Sequence, residues 1–266
     1  MTNYSTMFGS YFWLCVTAFL AGVINALAGG GTLLTFPALT AALAGLYPLE
    51  LVAALANGTS TIALMPASLS SAWAYRQELH KTKRLMLFLI VPSIIGGVLG
   101  ALAVRAFPKL FDSLVPWLIL TASLLFLIQP YVAKKLGHAA GKPVSRQRLA
   151  LIMLLQFGVA IYGGYFGAGI GILMLSALGL MGLSDIHEMN ALKTVLGSFI
   201  NGTAVVVFLL QGNVVWQFAL PMIATSILGG YVGAKYGRRV PAKYVRYLVI
   251  CIGFCLTTYY FWKRFG

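Results

Sequence analysis

The chain has 266 residues, of which 60% are apolar and 9% charged, whereas about 25% of the residues of an ordinary soluble domain are charged. Together with a mean hydropathy of +0.88, this composition excludes a water-soluble fold and predicts a polytopic membrane protein. The apolar runs are too long, and alternate too little, for the strands of an outer-membrane barrel. We therefore expect an all-α protein with membrane-spanning helices.

The basic residues give a net charge of +14 at pH 7, and nearly all of them lie in loops between apolar runs. Such loops set the orientation of a membrane protein and contact anionic lipid. The charge therefore predicts the lipid bilayer as a partner and argues against nucleic acid.

About eight transmembrane segments are predicted, because one crossing requires roughly 20 residues. The first and the fifth apolar runs are longer than that, and each is interrupted by glycines, which start at Gly29 in the first and at Gly163 in the fifth. We expect these two segments to be broken helices. The eight runs cover residues 11–47, 51–75, 85–107, 114–133, 149–183, 189–211, 214–236 and 245–262.

The two halves of the chain resemble each other. The segment SIIGGVLGA at residues 93–101 returns as SILGGYVGA at residues 226–234, at an offset of 133, and Pro108 returns as Pro241. This pattern predicts an internal duplication. The first transmembrane repeat would cover residues 1–133, a basic cytoplasmic linker residues 134–148 and the second transmembrane repeat residues 149–266.

The basic loops indicate how the repeats are oriented. If each broken segment crosses the membrane fully, eleven Lys and Arg lie on one face and seven on the other. If each broken segment returns to the side from which it entered, the numbers are fourteen and four, which agrees better with the positive-inside rule. This arrangement predicts inverted repeats, with both termini outside and with glycine breaks that enter the membrane from opposite sides.

The glycine breaks point to a binding site. Unwound backbone inside a bilayer is tolerated where it lines a cavity or is buried in protein, and free N–H groups at the start of a half-helix favour an anion. Close helix packing through small residues would also explain a single glycine patch. Two patches at corresponding positions of a duplicated chain favour the binding site.

The helix that follows each break is polar for its depth. The first contains Asn57 and Thr59, and the second contains Asn190, Lys193 and Thr194. Hydrogen bonds between helices would explain the neutral residues equally well. A charge such as Lys193 inside an apolar run is costly and indicates function, unless it reaches the nearby loop or pairs with an acid there.

Acidic residues are scarce. Glu50 and Glu188 are the two carboxylates best placed for coupling transport to protons, although an acid at a helix start also interacts with the helix dipole. Sodium coupling would use carbonyl oxygens instead. The sequence has no His and Cys cluster with metal-binding spacing and no catalytic constellation. We thus expect no enzyme, no metal and no cofactor besides a coupling ion, H⁺ or Na⁺.

These features resemble the TauE/SafE family of sulfite exporters and organosulfonate permeases over essentially the whole chain. The likeness rests on residues 21–39 around the first glycine break, and on residues 189–194, Asn201 and residues 212–216 in the second half. The second break departs from the common pattern, because its glycines alternate with other residues and Ser176 stands where proline is usual.

Composition and resemblance together predict secondary transport of a small anion such as sulfite or an organosulfonate. The anion would lie near the membrane midplane between the two breaks, and movement of one repeat against the other would expose it to each side in turn. Lys193 would supply charge. The full set of expected binding residues is Asn25, Gly29, Gly30, Gly31, Thr32, Asn57, Thr59, Gly167, Gly169, Gly171, Asn190, Lys193 and Thr194.

Two other functions stay open at this point. A passive anion channel would use the same residues, but its flux would not be driven uphill by an ion gradient. A non-transporting assembly or scaffold protein would need no polar interior, which makes it the less attractive alternative. The loop-poor chain suits a bacterial inner membrane and is compatible with a homodimer.

Overall fold

Glycine, proline and polar connections divide the chain into ten helices within the residues that the computed structural model describes, which are 4–76, 79, 82–136, 146–180, 183, 186–236 and 242–265. No strand occurs in this part of the chain. In chain order the helices are α1 (Tyr4–Ala28), α2 (Thr32–Leu43), α3 (Leu49–Ala74), α4 (Lys83–Ala106), α5 (Pro108–Leu136), α6 (Arg146–Tyr165), α7 (Ile170–Leu180), α8 (Ile186–Leu210), α9 (Trp216–Tyr236) and α10 (Ala242–Phe265).

Six of these described helices are long and apolar enough to cross a membrane, namely α1, α3, α4, α5, α8 and α9. The apolar parts of α2, α6, α7 and α10 are shorter. Large apolar side chains such as Trp13, Leu87, Leu154 and Leu228 are exposed, as expected where lipid surrounds the protein. The chain is a polytopic helical membrane protein, which confirms the fold class predicted from composition.

Both long apolar runs are broken where the glycines predict it. The first run forms α1 and α2, which are separated by Gly29, Gly30 and Gly31, and the fifth forms α6 and α7, separated by residues 166–169. Both ends of the predicted linker are helical, because α5 continues to Leu136 and α6 begins at Arg146. Residues 137–145 lie outside the described residues.

Helices of one half pack mainly on helices of the other half. Helix α1 lies along α9 and α4 lies along α6, while α3 contacts α9 and α4 contacts α8. Helix α3 also contacts α8, and α5 contacts α10. If each helix of the first half, α1 to α5, is exchanged for its counterpart in the second half, α6 to α10, the same set of contacts results. This reciprocity supports the proposed duplication.

The repeated nine-residue segment lies in α4 and α9 and forms two of these interfaces. A Cβ on Gly100 in α4 would overlap the carbonyl oxygen of Ile161 in α6, and a Cβ on Gly229 in α9 would overlap that of Phe19 in α1. Small residues thus let the helix backbones touch. The same five positions of the segment are buried in both helices: Ser93, Gly96, Gly97, Gly100 and Ala101 in α4, and Ser226, Gly229, Gly230, Gly233 and Ala234 in α9.

Candidate functional site

The first glycine break turns the chain between α1 and α2. Gly29 has a φ of +74°, a conformation that side-chain-bearing residues rarely adopt, and its N–H donates to the Asn25 carbonyl oxygen at 3.0 Å. Among the residues described, the N–H groups of Gly30, Gly31 and Thr32 donate to no backbone carbonyl. The start of α2 therefore presents free amides at a buried position.

The second break has a different backbone conformation from the first, but it also contains N–H groups that lack a backbone acceptor among the described residues. Gly167 and Gly169 have φ values of +81° and +76°. The Tyr162 hydroxyl donates to the Ala168 carbonyl oxygen at 2.7 Å and so holds the unwound segment. Within the described chain, the N–H groups of Ala168, Gly169 and Gly171 have no backbone acceptor.

The structure brings the two breaks into contact. A Cβ built on Gly29 would lie 2.8 Å from the Cα of Gly171, and one built on Gly167 would lie 3.7 Å from the Thr32 Oγ1. Since the first pair leaves no room for even a methyl group, glycine is required there by packing as well as by conformation. Both half-helices, α2 and α7, thus begin in one shared region.

Lys193 lies beside the first break. Its side chain is 3% exposed, and its Nζ donates to the carbonyl oxygen of Leu27, in the last turn of α1, at 3.3 Å. The end of a helix carries partial negative charge, which an ammonium group stabilises. No carboxylate among the described residues pairs with Lys193; Asp185, in the preceding connection, lies outside them.

Asn57 makes the reciprocal contact at the second break. Its side chain is 1% exposed, and its Nδ2 donates to the carbonyl oxygen of Tyr165, the last residue of α6, at 3.0 Å. The polar helix of each half thus caps the broken helix of the other half. The Oδ1 atom of Asn57 is buried and has no hydrogen-bond partner among the residues described.

Asn190 and Thr194 repeat a local pattern of Asn57 and Thr61. The Thr194 hydroxyl donates to the main-chain carbonyl of Asn190 at 2.7 Å, as the Thr61 hydroxyl does to that of Asn57 at 2.8 Å. Within the described chain, the Asn190 Oδ1 is also buried without a hydrogen-bond partner. Asn190 lies one helical turn before Lys193 and therefore faces a similar direction.

The side chains of Asn25 and Thr59 take part in helix packing, although the Cβ of Asn25 lies next to Gly31 of the first break. The amides of Asn25 in α1 and Asn201 in α8 both donate to the Ser68 hydroxyl of α3, at 2.9 and 3.4 Å. Thr59 accepts the Val215 N–H at 2.9 Å and so fixes the connection before α9. In this conformation both side chains join helices.

The two predicted carboxylates lie at helix starts rather than in the breaks. Glu50 is exposed in the first turn of α3, where it lines a cavity of about 1010 Å³ between α2, α3, α5 and α10. Glu188 is half-buried in the first turn of α8 and has an interaction partner. Asn57 and Lys193 follow them by seven and five residues, which is about 10 and 8 Å along a helix.

An aromatic cluster separates this cavity from the second break. Phe36 lines the cavity and packs edge-to-face on Phe166, with ring centroids 5.3 Å apart. Phe111 stands against Tyr165 at 5.1 Å and against Phe166 at 6.4 Å. The phenyl rings of Phe36, Phe111 and Phe166 are fully or almost fully buried, and Phe36 is the member of the cluster that lines the cavity.

Sequence reasoning did not identify Tyr162, Ser68 or the aromatic cluster. Ser68 lies in a short polar run with Ser70 and Ser71 on α3, which was a usable signal for a helix interface. Tyr162 carried no such signal, because its role depends on the fold of the break six residues later. The cluster joins residues from α2, α5 and the second break, which are far apart in sequence.

Comparison with known proteins agrees with this architecture. A family model described as "Sulfite exporter TauE/SafE" matches residues 14–260. A probable membrane transporter protein of Haemophilus influenzae is 32% identical over 248 residues, which cover 91% of each chain. A probable membrane transporter protein of Sinorhizobium, ORF9, is 30% identical over 92% of this chain and 89% of its own.

A more distant relative is the probable membrane transporter protein YfcA of Escherichia coli K12, which is 26% identical over 90% of this chain and 85% of its own. The residues matched by the family model include both glycine breaks and both polar helices. The chain therefore belongs to the TauE/SafE sulfite exporter family and is a multi-pass membrane transporter.

Proposed function

We propose that this transporter carries a small anion, sulfite or a short organosulfonate, which binds where the two glycine breaks meet. The observation that carries the proposal is Lys193. Its buried ammonium group has three donors, yet among the residues described it contacts one neutral carbonyl oxygen, that of Leu27. A charge at such depth is costly unless an opposite charge accompanies it.

The free amides of the breaks supply the rest of the anion site. Gly30, Gly31 and Thr32 precede or begin α2, and Ala168, Gly169 and Gly171 precede or begin α7. The N-terminus of a helix carries partial positive charge, so both half-helices favour an oxyanion in front of them. The contact of Gly29 with Gly171 supports one site shared by both half-helices.

The other binding residues predicted from the sequence fall into two groups. Asn57, Asn190 and Thr194 lie on the polar helices close to the residues that touch the breaks. Asn25 and Thr59 hold helices together in this conformation and would reach the anion after a movement of the helices. We also propose that the protein resides in a bacterial inner membrane.

Alternating access follows from the way the halves pack. Because each half contributes one break and caps the other, a displacement of one repeat against the other moves both ends of the site together. The cavity beside Glu50 would form the approach from one face, and the cluster of Phe36, Phe111 and Phe166 would close it.

Transport of labelled sulfite into proteoliposomes tests the proposal. We expect Lys193→Gln to reduce uptake to the level of empty vesicles, while the protein stays folded and monodisperse. Lys235→Gln removes an equal charge from the exposed last turn of α9 and should transport like the wild type. Uptake by Lys193→Gln at the wild-type rate would remove Lys193 from the site.

The same vesicles separate a coupled transporter from a passive channel. Sulfite should accumulate above its external concentration when a Na⁺ or H⁺ gradient is imposed, and the accumulation should collapse with the gradient. Flux that only equalises the two concentrations under every gradient would favour the channel.

A further inference from the structure

The helix ends that precede the two breaks are contacted by different chemical groups. At the first break, the ammonium group of Lys193 meets the carbonyl end of α1 at Leu27. At the second break, the neutral amide of Asn57 meets the carbonyl end of α6 at Tyr165. Helix C-termini carry partial negative charge and favour a cation. Among the described residues, one of the two reciprocal helix ends therefore has a positive charge beside it and the other has none.

The second break also leaves an acceptor unused. The Oδ1 atom of Asn57 is buried and has no hydrogen-bond partner in the described part of the chain, and its side chain is 1% exposed. Its own Nδ2 holds it against the Tyr165 carbonyl, so the unused oxygen lies at the end of α6. A buried oxygen without a donor is destabilising unless a ligand, a water or an ion occupies the place beside it.

We infer that the end of α6 binds a small monovalent cation, Na⁺, between the Oδ1 atom of Asn57 and the main-chain oxygen of Tyr165. A carbonyl oxygen has two lone pairs, so Tyr165 can accept the Asn57 amide and still ligate an ion. Unwound backbone and half-helix C-termini are the places where membrane transporters hold Na⁺. The described contacts of this break include no carboxylate, which disfavours a proton as the bound ion.

The role of this ion in coupling rests on the proposed function. The breaks touch at Gly29 and Gly171, so a cation at α6 lies in the region proposed for the anion. A doubly charged oxyanion would then be balanced by the Lys193 ammonium group and one Na⁺. Binding of either solute should raise the affinity for the other, and the factor is the same in both directions.

The test is Na⁺-dependent thermal stabilisation of the detergent-purified full chain, measured without any sulfur anion. NaCl is titrated against choline chloride and KCl at constant ionic strength, because an ion that binds the native state raises its apparent stability. We expect a saturable rise in melting temperature with NaCl that KCl and choline chloride do not give. Identical curves in the three salts would overturn the inference.

Variants locate the site. Asn57→Ala removes one of the two proposed ligands and should raise the half-maximal Na⁺ concentration by about tenfold or more, which corresponds to about 1.4 kcal/mol or more. Gln156→Ala is the matched control, because its Oε1 is also buried and unpartnered among the described residues, but Gln156 lies nine residues before Tyr165 on α6, about 14 Å along the helix. It should keep the wild-type Na⁺ response. An unchanged response in Asn57→Ala would also overturn the inference.

A second substitution at Asn57 keeps the Na⁺ site testable if Asn57→Ala misfolds. If Asn57→Ala is not monodisperse, Asn57→Asp keeps the side-chain oxygen and adds negative charge, and it should lower the half-maximal Na⁺ concentration. A half-maximal concentration equal to that of the wild type would count against the site. Because these titrations contain no sulfite, their outcome is independent of anion transport, and sulfite binding in choline chloride tests the anion site alone.

Discussion

Gly29 meets two separate requirements at the first break. Its φ of +74° disfavours any residue with a Cβ, and the Cα of Gly171 occupies the space that a Cβ would need. Gly45, in the turn after α2, shares only the first requirement, because its φ is +83° and no atom of the described residues lies within 4 Å of a Cβ built there. Comparing substitutions at Gly29 and Gly45 therefore separates the cost of the left-handed conformation from the cost of contact between the breaks.

Gly29→Ala should destabilise the protein more than Gly45→Ala. We expect a cost of about 1 to 2 kcal/mol at Gly45 from the left-handed conformation alone, and about 1 to 3 kcal/mol more at Gly29 from overpacking. Thermal unfolding in detergent measures the difference. Equal melting temperatures for the two variants would show that the breaks do not touch as described.

The position of Lys193 was predictable from the sequence, but its partner was not. A lone charge in an apolar run indicates a special environment wherever it occurs. Its contact with Leu27 depends on how α8 packs on the end of α1, which no local pattern encodes. The same holds for Asn57 and Tyr165, which are 108 residues apart.

Helices α4 and α6 depend on direct backbone contact through glycine. The Cβ of an alanine at Gly100 would overlap the Ile161 carbonyl oxygen, and the Gly164 position faces Gly97 with as little room. Gly158, on the same helix α6, is exposed, and a Cβ built there has no described residue within 4 Å. Gly100 is therefore required for close contact between the two helices, whereas Gly158 is not.

Gly100→Ala should separate α4 from α6 and cost about 1 to 3 kcal/mol. Gly158→Ala should leave stability unchanged or raise it by up to about 1 kcal/mol, since alanine is the better helix former. The melting temperatures of the two purified variants check this contrast. A Gly100→Ala protein as stable as Gly158→Ala would argue against close packing of α4 on α6.

Element boundaries followed largely from composition, and their packing did not. Apolar length and glycine interruption located all eight predicted segments and both breaks. The extension of α5 to Leu136 and of α6 back to Arg146 was missed, because lysine and arginine are good helix formers even where the chain leaves the apolar region. The Ser68 network joins three helices and had no signature of its own beyond a polar run.

In the whole molecule, helices of one half pack mainly on helices of the other half. Contacts such as α1 with α9 and α4 with α6 correspond when the two halves are interchanged. The repeated segment at residues 93–101 and 226–234 predicted the duplication from sequence. The inverted orientation of the repeats rests on the distribution of basic residues and is still a prediction.

Cysteine labelling tests that orientation. In a variant whose native cysteines, Cys15, Cys251 and Cys255, are replaced by alanine, Lys109→Cys should react with an impermeant maleimide added to intact spheroplasts. Lys235→Cys should react only after permeabilisation. Both positions are exposed at helix ends. Labelling of both from the same side would mean that the repeats are parallel.

The most direct measurement for anion binding is thermal stabilisation of the purified protein by a panel of sulfite, sulfate, sulfoacetate, taurine and chloride. A specific ligand of the native state raises its melting temperature. We predict a selective shift with sulfite or one sulfonate in the wild type and in Lys235→Gln, and no shift in Lys193→Gln. Absence of any shift in the wild type at millimolar ligand, or an undiminished shift in Lys193→Gln, would show that the glycine breaks and Lys193 do not form the anion site.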